Sequence, residues 1–410
     1  MIIFEIKKIF AKMVNKIAIA LLAVLILGVS FQAVNSVMFV DKEGNELRGI
    51  KAAHYLKIEK NKWAGYLTES QLSKVIQRNT EINTSQEYLS GDYRENNKAE
   101  ARKQSFSDIK DMLNLAFSPI ENYNFNQIDS IVPKEAGNLY KKRISNLEET
   151  LNSDEEKDYF SEDEKNFMLT QYKELETPFY YEYFDGWKAL LENMSTVILL
   201  TMLIAGFLVS SIFSNEFLLK SDSVFFSTKY GRNKAVAAKI GAGFLIITVI
   251  YWGAIILYSV VVLGALGLDG SQCPIQIDMN RWYSFYNISF FQEYVLTTFG
   301  GYLGSLFILT FSMIVSAITH STVVAVTIPF IVMIIPSLLS GIPGLTHILG
   351  LLPDQLLQVK EMIISYGINA LYHVGTNVMG ALPIVMMLYF ILYCLLVPAL
   401  YCLYKRMKVE

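Results

Sequence analysis

Few side chains in this sequence carry reactive chemistry at a usable spacing. The four histidines, His54, His320, His347 and His373, fall in separate regions, and no pair has metal-ligand spacing. No G-x-x-x-x-G-K-[ST] stretch offers a loop to cradle phosphates, and neither G-x-S-x-G nor H-E-x-x-H occurs. The chain is therefore expected not to be an enzyme and to bind no metal and no cofactor of its own. The charges worth following lie in residues 211–239, SIFSNEFLLKSDSVFFSTKYGRNKAVAAK, where Lys220, Lys229, Arg232, Lys234 and Lys239 face only Glu216 and Asp222. Glu216 is the residue singled out for a role, because a carboxylate near the start of a short helix meets the positive end of its dipole. It also has a plain reading as an ordinary helix-start acid, and Arg232 and Lys239 have one as basic anchors beside a membrane.

That polar stretch separates two runs without a charge, 194–213 and 240–266. Each is long enough, at about 20 residues, to cross a bilayer. A short loop rich in Lys and Arg marks the cytoplasmic side, so 214–239 is predicted to be a cytoplasmic loop. Within it, Phe217, Leu218 and Phe225 sit at near-helical spacing, which predicts a surface helix over 215–226.

The whole chain fits this frame. It has 410 residues, 52% of them hydrophobic, and a positive mean hydropathy, a composition that places it among polytopic membrane proteins. The net charge of −3 hides a partition, since most acids fall in 41–192. Residues 1–16 are amphipathic and read as an interfacial helix. The run 17–40 reads as a first span, with a cleavable signal peptide as the rival reading. Six spans are predicted in all, at 17–40, 194–213, 240–266, 295–318, 323–339 and 382–404, with both termini inside and a basic tail at 405–410. None holds an Asp, Glu, Lys or Arg in its interior. A charge there costs about 2.5 to 3.5 kcal/mol and usually marks an ion pathway, so its absence speaks against a proton-coupled carrier.

Between the first two spans, 41–192 is predicted to be an extracellular, mainly helical domain. DKEGNEL around Gly44 signals a tight turn. Thr68 with Gln71, and Ser161 with Glu164, fit the capping box. Apolar stripes follow Leu72, Val75, Ile76 and Leu89, then Ile109, Leu113, Ala116 and Phe117, then Leu139, Ile144, Leu147 and Leu151. The aromatic cluster from Phe179 to Trp187 has two readings, an interfacial belt or a patch that touches substrate. Gly300 and Gly304 form a small-xxx-small pair that allows close helix approach. Pro329 and Pro336 are expected to bend the fifth span. The segment 341–381 is too apolar for a loop and too broken for a span, which predicts two short helices dipping into the outer leaflet.

SNEFLLKSDSVFFSTKYGRNKAVAAK resembles the loop of ABC type-2 exporter permeases, matching at Ser214, Asn215, Glu216, Ser227, Thr228, Arg232 and Lys239. The resemblance extends to the six-span plan and the re-entrant outer helices, but not to 41–192. It implies a coupling helix that docks on a separate ATP-binding subunit, with Asn215, Glu216, Phe217, Phe225, Arg232 and Lys239 as the coupling residues. It further implies ATP and Mg bound by that partner, a second permease copy or a similar permease, and a bacterial plasma membrane location. Export of a peptide, amphiphile or other small substrate would follow; nucleic acid is not an expected partner. The alternative is a non-transporting receptor or membrane-assembly protein whose outer domain binds a partner.

Overall fold

The computed structural model describes residues 1–154, 157–228, 230–339, 342, 345–364 and 371–406. Five helices are long and apolar enough to cross a membrane: Met13–Asn35, Asp185–Leu218, Gly231–Leu266, Phe290–Thr319 and Ala381–Lys405. The fifth apolar run of the sequence forms a shorter helix, Thr322–Leu339, with Pro329 and Pro336 inside it. Proline lacks the N–H that the helix ladder needs and crowds the preceding turn, so each of the two removes one backbone bond from this helix.

At the N-terminus the boundary differs from the expectation. The amphipathic helix ends at Phe10 and the first apolar helix already begins at Met13. Asn15 fixes the joint by donating from Nδ2 to the carbonyl of Ile9 at 2.8 Å. Beyond Asn35 the chain turns into a hairpin, Met38–Val40 paired with Glu46–Arg48. Asp41 closes its loop by accepting from the N–H groups of Glu43 and Asn45, and Gly44 takes the positive φ of 88° that the turn requires.

Residues 50–174 are mostly helical. Ser161 and Glu164 form a full capping box. Thr68 makes half of one, because Gln71 turns its side chain to the carbonyl of Trp63 instead. The apolar stripes are buried as their periodicity requires, except for Phe117 and Ile144, which are half-buried, and Leu89, which is exposed. Most of the aromatic cluster is buried, and Phe179 and Tyr180 line a cavity at its edge. Phe179, Tyr181, Tyr183, Phe184 and Trp187 are buried and join this region to the bundle. Tyr183 and Trp187 donate to the carbonyls of Leu266 and Leu268, and Phe184 stacks on Phe290 at 5.0 Å.

Phe290–Thr319 is the central helix, with 67% of its most apolar window buried. Its glycines explain the close packing. A Cβ on Gly300 would lie 2.5 Å from Val359, one on Gly304 would lie 2.9 Å from Leu356, and one on Gly301 would lie 2.6 Å from Ile198. The small-residue stripe therefore receives the short segments Pro353–Leu357 and Val359–Ile364 rather than another long helix. The region 341–381 contains those short helical turns as expected. It also contains an unexpected hairpin, Leu371–Val374 paired with Asn377–Gly380, while 340–341, 343–344 and 365–370 lie outside the described residues. Leu371 packs with Leu147, Leu151 and Tyr172 in a second core, so this segment and the 41–192 region share one surface.

Lys60 anchors the domain to the second apolar helix by bridging Asp108 at 2.8 Å and Asp185 at 2.7 Å. Burial disfavours its charge, yet the two carboxylates hold it above the usual lysine range. One helical turn from Asp108, Asp111 has no such partner; burial and the Asp108 charge push it from 3.8 up to about 6. A raised carboxyl pKa means that stability is full below about 3.8 and is lost as pH rises through about 6. Asp111→Asn is thus expected to raise the melting temperature at pH 8 and leave it nearly unchanged at pH 4. Thermal denaturation of the purified chain at both pH values checks this, and an equal gain at both would assign the effect to something other than charge.

Candidate functional site

At the end of the bundle remote from residues 41–192, the second and third apolar helices are joined by the polar loop. Glu216 lies there in the last turn of the helix Ser211–Leu218. It is not at a helix start, so the expected dipole interaction is replaced by ion pairs. Lys239 donates to both of its carboxylate oxygens at 2.8 Å, and Lys8 of the N-terminal helix donates at 2.7 Å. Glu216 is 4% exposed and Lys239 fully buried. Lys239 uses a further donor on the carbonyl of Ile212 at 2.6 Å and stands 3.5 Å from Glu5.

The sequence-derived helix over 215–226 is two helices, Ser211–Leu218 and Asp222–Ser227, broken at Lys220 with φ 53°. Lys229 lies outside the described residues. The break folds the loop back on itself, which brings both Phe217 and Phe225 against Tyr404 in the last apolar helix, at 6.4 and 6.3 Å between ring centroids. Lys239 lies over the Phe225 ring at 5.5 Å, where the aromatic face favours a cation. Arg232 clamps the returning chain, donating to the carbonyls of Phe226 and Lys405. A cation at the last carbonyls of a helix is also favoured by its dipole. Asn215 accepts from Lys12 at 3.4 Å.

All six residues singled out from the sequence are therefore in one region, with Glu216 and Lys239 at its centre and Arg232 on its flank. Lys8, Gly231, His320 and Tyr404 were missed. Gly231 is needed because a Cβ there would fall 1.9 Å from the carbonyl of Phe225; its only sequence signal is a glycine in a short loop. His320 stacks on Phe217 at 3.6 Å, a partnership with no local signature.

Among the described residues this joint is built from buried ion pairs, donors to carbonyls and aromatic contacts. The packed face of the loop is tied to three helices, while Leu218, Leu219 and Val224 are 58%, 66% and 68% exposed on the other face. Beside the joint, a cavity of about 530 Å³ runs between Phe4, Lys8, Glu216, Val224 and Tyr230. Among the described residues no three His, Cys, Asp or Glu side chains converge to hold a metal ion. Compared with family models, with curated proteins and with solved structures, the chain finds no match.

Removing one partner of a buried ion pair leaves an uncompensated charge and typically costs about 3–5 kcal/mol. The two sides of this pair differ, because Lys8 remains 2.7 Å from Glu216 when Lys239 is lost, whereas losing Glu216 leaves the wholly buried Lys239 with the more distant Glu5, at 3.5 Å. Glu216→Gln is expected to destabilise the purified protein by about that amount and Lys239→Met by less. The double variant Glu216→Leu with Lys239→Met should recover most of the loss. Chemical or thermal unfolding measures all three, and additive losses in the double variant would show that the pair is not coupled.

Proposed function

We propose that this chain is the permease subunit of an ATP-driven exporter of the ABC type-2 kind, working with separate ATP-binding subunits and a second permease. The observation that carries the reading is the joint itself: a loop of two short helices that exposes Leu218, Leu219 and Val224, and whose other side is fixed by buried Glu216 to the third apolar helix and the N-terminal helix. A partner that binds the exposed face moves three helices together, because breaking the pair is costly. In this reading the shorter helix Thr322–Leu339 is the fifth of six spans, the loop and both termini are cytoplasmic, and 41–192 is extracellular. ATP and Mg belong to the partner, and this chain performs no catalysis.

A receptor or assembly reading has its own support in a cavity of about 620 Å³ lined by Tyr66, Phe179, Pro274 and Gln292. It lies between the 41–192 region and the loop that follows the third apolar helix, and its lining mixes polar and apolar groups as a binding surface would.

Co-expression with neighbouring ATP-binding genes separates the two. A permease brings down an ATPase, and Val224→Glu, a change at an exposed position, is expected to lower the recovered ATPase about tenfold without moving the melting temperature. A cysteine placed at Ser223 in a chain lacking Cys273, Cys394 and Cys402 should react only with a reagent that has entered the cell. Labelling from the medium, or purification free of ATPase under co-expression, would overturn the permease reading and leave the receptor one.

A further inference from the structure

A second cavity, of about 600 Å³, opens between the second apolar helix, the helix Thr322–Leu339 and the segment 353–364. Its size is within the range of about 300–1,000 Å³ found for small-molecule sites. Leu203, Phe330, Met333 and Leu357 form its apolar walls, and the half-exposed Leu199 and Ile334 stand at its lips, on helices of the apolar bundle. The charged groups in this wall are both anionic, beside the neutral Ser195, Thr196 and Gln358. Asp354 is 4% exposed; its Oδ2 accepts from Gln355 at 3.0 Å, while its Oδ1 is buried with no hydrogen-bond partner among the described residues. Glu361 also lines the cavity. The neighbouring lysine, Lys360, does not compensate either acid, because it is committed to Glu192 at 2.7 Å.

A buried carboxylate oxygen without a donor is costly. The fold keeps Asp354 in place through its own segment, since Leu356 and Val359 are pressed into Gly304 and Gly300 of the central helix. What is missing at the site is therefore a positive charge carried on an apolar body. We propose that this cavity binds an organic lipophilic monocation, with the charge at Asp354 and Glu361 and the apolar groups between Phe330, Met333 and Leu203. A hydrophilic cation would forfeit its hydration against these walls, and an apolar anion would meet two carboxylates. The inference deepens the export reading by naming a substrate class and rests on it for movement, though not for binding.

The test uses the full chain, without any ATPase, in phospholipid nanodiscs. Tetraphenylphosphonium and tetraphenylborate have the same shape and opposite charge, and their partition into lipid is common to all variants. Wild-type chain is expected to bind tetraphenylphosphonium saturably, Asp354→Asn to weaken it about tenfold or more, and tetraphenylborate to show no protein-dependent binding. Met333→Trp, which fills the cavity without changing charge, should remove the same component, so the result stands even if the aspartate variant does not fold. Equal binding of both ions, binding indifferent to Met333→Trp, no saturable binding, or a co-purified phospholipid that the cation cannot displace would each overturn the proposal. None of these outcomes bears on whether the chain recruits an ATPase.

Discussion

One carboxylate, that of Glu216, is withdrawn from water at the end of the bundle and kept ionic by lysines from two other helices. Taking charges out of water costs several kcal/mol per ion, and a pair returns this only with good geometry and further hydrogen bonds. Lys239 meets that condition, with both carboxylate oxygens and the Ile212 carbonyl in reach. Such a pair adds little net stability over apolar groups of the same size. What it does supply is geometric selectivity: a shift of the third apolar helix by one residue against the second would part Lys239 from Glu216, leaving the carboxylate to Lys8 and the buried ammonium to the more distant Glu5. The register of the bundle at this end therefore depends on Glu216.

The opposite end is held by the same device. Arg281 reaches Glu293 of the central helix at 2.7 Å and also contacts Asp278. Lys188 pairs with Asp278 at 2.8 Å, and Lys360 with Glu192 at 2.7 Å. Burial opposes the charge on Asp278, but Arg281 and Lys188 hold its carboxyl below the usual range. Between the two charged layers the described residues of the helices show no ion pair, and the helices approach closely at Gly206, Gly243 and Gly301, where an added Cβ would meet Leu309, Met313 and Ile198. Small residues are the natural means there, because apolar side chains gain nothing by leaving lipid for one another, whereas close backbone approach adds dispersion contacts.

This division explains which features could be read in advance. Runs without charge located the long helices, since a bilayer imposes a length that composition alone reports. The hairpin at Asp41–Asn45 was legible because local side-chain bonds build it. Long-range pairing was not: Lys8 and Glu216 are 208 positions apart, and an amphipathic N-terminal helix looks the same whether its lysines face headgroups or a buried acid. The aromatic cluster from Phe179 was ambiguous for a related reason, as apolar rings with polar tips suit either an interface or a buried joint with carbonyls to cap. The strands at Leu371–Val374 and Asn377–Gly380 had a signal in the Gly375–Thr376 turn between alternating residues. It was outweighed by the surrounding hydrophobicity.

Two charged layers also restrict where the bundle can change shape. Parting the second and third apolar helices at the loop end, or the central helix from the 267–289 loop at the other, would expose or strand buried ions at about 3–5 kcal/mol for each pair broken. The helix Thr322–Leu339 is under no such constraint. Two prolines interrupt its ladder, no ion pair ties it at either end among the described residues, and it forms one wall of the cavity that contains Asp354. Motion at this helix would change the cavity while leaving both ionic layers intact, and the buried Asp354 oxygen that lacks a donor lines that same cavity.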